Sequence, residues 1–188
     1  AVLAAAAVEA ALTGRKVLMV VKTITLRHYL WDLATRWLPE GTSKKQVAQA
    51  MRDNVTIYYL HEWVRHTCVD AGLEKRLRML PMSPYPEKEL KALVSEALPS
   101  RDSEDGHQTG VKLYDTVLID EAQNIDADWW QLLLRTRRGE DAELMLAADL
   151  TQSLYGDQAT LSSGQNWTDE PTAGGGFRGP WVSFSESN

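Results

Sequence analysis

The stretch YDTVLIDEAQNIDADWWQLL, Tyr114 to Leu133, decides how this chain is read. Its opening, Tyr114–Ile119 (YDTVLI), is the strongest of the strand-like segments in the chain. Two adjacent carboxylates, Asp120 and Glu121, follow at once. Asp126 is then placed to cap a helix, with Asp128 in the first turn and Arg135, Arg137 and Arg138 near the far end. A strand, a carboxylate pair and a helix in that order make an α/β unit whose polar groups collect beyond the strand's carboxyl end.

Working outward, three more segments read as strands: Lys16–Val21 (KVLMVV), Asn54–Tyr59 (NVTIYY) and Glu143–Ala148 (ELMLAA). Between them lie helical patterns. The alanine-rich Ala1–Leu12 is stopped by Gly14, and Thr25–Leu38 carries Leu26, Tyr29, Leu30, Leu33 and Trp37 at helical spacing. Lys44–Arg52, Glu62–Leu80 with a break at Gly72, and Glu87–Leu98 complete the set. Prolines interrupt 81–86 (PMSPYP), the polar stretch 99–110 reads as an exposed loop, and from Leu161 onward the chain turns rich in Gly, Ser and Thr. Strands alternating with helices predict an α/β domain with a mostly parallel sheet flanked by helices.

Composition narrows the setting. The single cysteine, Cys68, excludes an internal disulfide framework and suits a reducing compartment, so a cytoplasmic location is expected. No apolar run approaches the roughly 18 to 20 residues of a membrane span, so a membrane is not an expected partner. The net charge of −6 conceals a split: residues 1–80 carry +5 and residues 81–188 carry −11. A basic front half can face a polyanion, although a solvated surface explains the same charge. Trp31, Trp37, Trp63, Trp129 and Trp130 are expected to serve packing, and Cys68 to be a small buried apolar residue.

The polar residues after each strand should converge on one edge. They are Lys22 and Thr23, then His61 and Glu62, then Asp120, Glu121 and Gln123, then Asp149, Gln152 and Tyr155. Neighbouring carboxylates on extended chain point different ways and can hold different roles. One suits a hydrated Mg²⁺, a hard cation that prefers oxygen ligands; the other suits a water attacking a phosphate. The alternative is a pair that only caps the next helix, but here an apolar strand precedes the pair and Ala-Gln follows it.

With these residues in view, YDTVLIDEAQNIDADWWQLL resembles the Walker B segment, motif II, of superfamily 1 DNA helicases of the UvrD/Rep type. ELMLAADLTQSLYG resembles their motif III, keeping Asp149, Gln152 and Tyr155, with Ala148 where glycine is usual. KVLMVVKTITLRHYL is similar to motif Ia, although Lys22, Thr23 and Ile24 replace its aromatic-Thr/Asn-Asn pattern. TIYYLHEWVR is similar to motif Ib, with His61 matching its histidine.

That resemblance implies a RecA-like P-loop NTPase lobe, incomplete at both ends. Residues 1–160 would be part of the helicase ATP-binding domain 1A, with a small helical insert at about 62–112. Residues 161–188 would be a Gly/Ser-rich loop leading toward the second RecA-like lobe of the same protein. The G-x-x-x-x-G-K-[ST] phosphate loop that precedes the first helix in the family is not among these 188 residues. The implied cofactors are ATP and Mg²⁺, and the implied partner is single-stranded DNA or a duplex with a single-stranded tail, traversed 3′ to 5′. The resemblance assigns Asp120 to Mg²⁺, Glu121 to the attacking water, Gln152 to sensing the γ-phosphate, and Gln123 and Asp149 to supporting the nucleotide site. Thr23, His61 and Tyr155 fall at DNA-facing positions, and Trp167 is a candidate base-stacking residue. Two other readings stay open: the ATPase subunit of a helicase–nuclease repair complex, and a non-catalytic DNA-binding remnant without the phosphate loop.

Overall fold

The computed structural model of the chain describes residues 2–81, 86–99, 110–139 and 141–148, with Gln123 described by its backbone alone. Among these residues four parallel strands form one sheet: β1 (Val17–Val21), β2 (Val55–Tyr59), β3 (Thr116–Ile119) and β4 (Glu143–Leu146), in the order β2-β1-β3-β4. The α/β class and parallel sheet expected from the alternating pattern are therefore present. Register aligns Val20 with Tyr58 on one side and Ile119 on the other, and Ile119 with Leu146. All four strands consequently end at the same edge.

Among the described residues seven α-helices accompany the sheet: α1 (Val2–Leu12), α2 (Ile24–Arg36), α3 (Lys44–Asn54), α4 (Leu60–Asp70), α5 (Glu74–Arg78), α6 (Glu87–Ala97) and α7 (Ala127–Leu134). Several boundaries have a local cause. Thr23 caps α2 by accepting from the Leu26 amide, and Ser43 and Gln46 form a reciprocal capping box on α3. Asp126 accepts from the Asp128 and Trp129 amides to start α7, as its place in the sequence predicts. Gly72, at φ +75°, ends the run that α4 begins, so Glu62–Leu80 is two helices rather than one.

The sheet separates two cores. On one face α1, α2 and α3 bring Leu3, Ala4, Ala7, Val8, Ala10, Ala11, Leu30, Ala34, Val47 and Met51 against Val17, Met19, Val21, Val55, Ile57 and Leu118. On the other, α4, α6 and α7 bring Trp63, Val64, Cys68, Leu90, Leu93, Val94, Trp129, Trp130 and Leu133 against Leu18, Val20, Val117 and Ile119. This alternation along β1 and β3 follows from the two-residue period of a strand. Cys68 is fully buried, and burial pushes its thiol up to about 11, so it is a small apolar packing residue as expected. Trp63, Trp129 and Trp130 are buried as expected, and Trp31 packs partly buried against the first core. Trp37 departs from that expectation: it is 48% exposed, because it terminates α2 at the rim beside the start of α1.

The amino edge is closed by its own charges. Arg15 pairs with Glu143 at 2.6 Å, the Lys16 amide donates to Asp115 at 2.7 Å, and Arg138 pairs with Asp115 at 2.8 Å. The Lys16 ammonium donates to Asn54 at 2.8 Å, and Asn54 donates to the Ala11 carbonyl at 2.9 Å. Among the described residues, no helix is long and apolar enough to cross a membrane.

Candidate active site

At the carboxyl edge the chain leaves β3 through Asp120 and Glu121. The Asp120 amide donates to the Val20 carbonyl at 2.9 Å, which keeps it in line with the sheet for one residue more. The backbone then turns abruptly. Glu121 has φ 54° and ψ 42°, the single left-handed non-glycine residue among those described. A side chain there costs roughly 1–2 kcal/mol against the ordinary helical or extended regions. The turn delivers the Ala122 amide to the Ala147 carbonyl at 3.0 Å, and the Ala147 amide donates to the Ile119 carbonyl at 2.8 Å. The exits of β3 and β4 are thereby locked to one another, and a 3-10 turn over Ala122–Asn124 leads to the capped start of α7.

Asn124 holds this corner. Its backbone amide donates to the Glu121 carbonyl at 2.9 Å, and its side-chain amide donates to the same carbonyl and to the Glu121 carboxylate, each at 3.3 Å. Sequence reasoning gave Asn124 no role; its signal was an amide three residues beyond the glutamate, within reach only because the intervening residues form a 3-10 turn. Behind the corner, Lys91 on α6 pairs with Glu87, Asp126 and Asp128 at 3.0, 3.0 and 3.3 Å and lies 5.6 Å from the Trp129 ring centre. The start of α7 is thus fastened to α6.

Asp120 is half-buried, and burial raises its carboxyl above the ordinary value of 3.8. The Glu121 amide lowers it in part by bonding the carboxylate, and the Glu121 charge raises it again. Such a carboxyl gains from a nearby cation, which would favour its ionised form. Among the described residues no three His, Cys, Asp or Glu side chains gather as a metal cage. A cation taken up with phosphates needs fewer: Mg²⁺ keeps several waters and uses one or two carboxylates, a chemistry that Asp120 fits.

The other half of the edge belongs to β1 and β2. Thr23, exposed, accepts from the Leu26 amide at 3.2 Å as the cap of α2. His61, also exposed, sits in the first turn of α4 with its ring centre 6.4 Å from that of Tyr59. Between these two loops Arg27 donates to both carboxylate oxygens of Glu62, at 2.9 and 2.8 Å. Thr23, His61, Asp120 and Glu121 therefore share one edge of the sheet. The Gln123 side chain, Asp149, Gln152, Tyr155 and Trp167 lie outside the described residues.

These features define a parallel α/β protein with a carboxylate pair at the carboxyl end of an inner strand, its second member on left-handed backbone. No family model, curated protein or solved structure matches the chain.

Proposed function

We propose that this chain is part of the first ATPase lobe of a UvrD/Rep-type superfamily 1 helicase, coupling ATP hydrolysis to 3′-to-5′ movement on single-stranded DNA. The observation that carries the reading is the left-handed Glu121 beside half-buried Asp120, at the carboxyl end of a strand flanked on both sides. Strained backbone on a non-glycine residue concentrates at functional sites. A pair that merely capped a helix would have no need of it, since Asp126 already caps α7.

In this reading Asp120 would hold Mg²⁺, which would supply positive charge against the nucleotide phosphates. Glu121 accepts the proton of the water that attacks the γ-phosphate, and Asn124 keeps its carboxylate from swinging away. Gln123, Asp149 and Gln152 complete the nucleotide site, while Thr23, His61, Tyr155 and Trp167 face DNA. The phosphate loop that precedes the first helix in the family, and a second RecA-like lobe, would supply the rest of the ATP site.

Glu121→Gln keeps the shape and removes the base. In the native protein that carries this chain, DNA-stimulated ATP hydrolysis should fall about 10²- to 10⁴-fold, the range of a lost general base. Parental turnover by the variant in a phosphate-release assay would overturn the reading.

A further inference from the structure

Arg27 and Glu62 stand 35 residues apart, one on α2 and the other on α4. Those helices belong to opposite faces of the sheet: Leu30 and Ala34 of α2 lie in the alanine-rich core, and Trp63 and Val64 of α4 in the tryptophan-rich one. The ion pair therefore reaches around the carboxyl ends of β1 and β2 and ties the two layers together. Its side chains are only 26% and 19% exposed, and one guanidinium nitrogen serves both carboxylate oxygens. Fully exposed pairs usually contribute about 0–1 kcal/mol and fix little. This pair is more sheltered, it has Tyr58 nearby, and Glu62 lies in the first turn of α4, where the helix dipole favours a negative charge.

The neighbours of the pair give it a role. Thr23 is four residues before Arg27, and His61 immediately precedes Glu62. We propose that the Arg27–Glu62 ion pair is a positioning clamp that sets the separation of the Thr23 and His61 loops so that both engage one single-stranded nucleic acid. The inference rests on the helicase reading and extends it to two residues that lie inside the stretches similar to motifs Ia and Ib but have no role assigned there. Neither needs to touch DNA: the pair acts through the loops it holds.

Glu62→Gln separates the clamp from plain electrostatics. Removing a negative charge beside a DNA path, and freeing an arginine, should tighten binding if only charge matters. A clamp gives the opposite sign. In the native protein, Glu62→Gln and Arg27→Met should each raise the oligo(dT) concentration for half-maximal ATP hydrolysis about tenfold, because small misplacements of a binding group are costly. Turnover at saturating oligo(dT) should stay within about twofold, since the turn at Glu121 is locked to β4 through the Ala122 and Ala147 hydrogen bonds, away from the Thr23 and His61 loops. The exchanged pair Arg27→Glu/Glu62→Arg should recover most of the loss, and amide hydrogen exchange over residues 22–24 and 59–62 should rise in both single variants and fall again in the exchange.

Tighter or unchanged DNA binding by Glu62→Gln would overturn the clamp while leaving the helicase reading intact. Single variants that weaken binding with no rescue by the exchange would overturn it too. A parent protein whose ATP hydrolysis ignores oligo(dT) would overturn both.

Discussion

The two faces of the sheet are packed by opposite means. On one, α1 presents Ala4, Ala7, Ala10 and Ala11, and α3 and α2 come in closely over small side chains. On the other, Trp63 meets Trp129 edge-on, ring centres 6.3 Å apart and planes at 80°, and bulk fills the space between α4, α6 and α7. Close approach of backbone and filling by large rings both reach dense packing, but they fail in opposite directions. Atoms added at a fully buried alanine such as Ala7 strain the first face; atoms lost from a ring open a cavity in the second.

The largest effect should come from the second face. Trp63, 2% exposed, loses a whole ring in Trp63→Ala, and the cavity should cost about 3–5 kcal/mol, measured as a lower urea midpoint. Next, Ala7→Leu adds atoms at a fully buried position on the first face and should cost about 1–3 kcal/mol by overpacking. A harmless Ala7→Leu, or a Trp63→Ala no worse than it, would break the contrast.

Two smaller effects belong to the edge where the faces meet. Glu121→Gly relieves the left-handed side chain but frees the unfolded chain, so stability should rise by less than about 1 kcal/mol while DNA-stimulated hydrolysis is lost. Lower stability in that variant would show that Glu121 is held there by compensating contacts. The smallest concerns pH. Asp120 binds its proton more tightly folded than unfolded, so ionising it opposes folding. The stability it lends is full below its ordinary value of 3.8 and is lost as pH rises through the raised folded value. Asp120→Asn should accordingly be more stable than the parent at neutral pH, with the gap closing in acid. Identical urea midpoints across the pH series would refute this.

Much of the fold was legible because it is written locally. Apolar runs marked β1 and β3, Asp126 and Gly72 marked helix ends, and Asp120–Glu121 were found from the strand before them. The strand order was not legible, since β3 pairs with β1 across about a hundred residues and pairing leaves no local signature. Nor was the backbone of Glu121: glutamate is not a residue type that announces a left-handed turn, and only the bonds of Ala122 and Asn124 require it. Glu62 was placed at this edge by the strand before it, but Arg27 was given no role, because its meaning depends on two helices reaching the same edge from opposite faces. Trp37 was read as packing from its helical spacing, which cannot tell a helix's last turn from its middle.

The composition of the alanine-rich core has a consequence for synthesis. Apart from Leu118, its buried members all fall between residues 3 and 57. A chain emerging from the ribosome can therefore assemble α1, β1, α2, α3 and β2 on that face well before β3 exists, from contacts of short sequence separation. The corner at Glu121 cannot form until residue 147 has also arrived, because the Ala122 amide waits for the Ala147 carbonyl. The candidate active site is thus completed after that face, on a scaffold already half built.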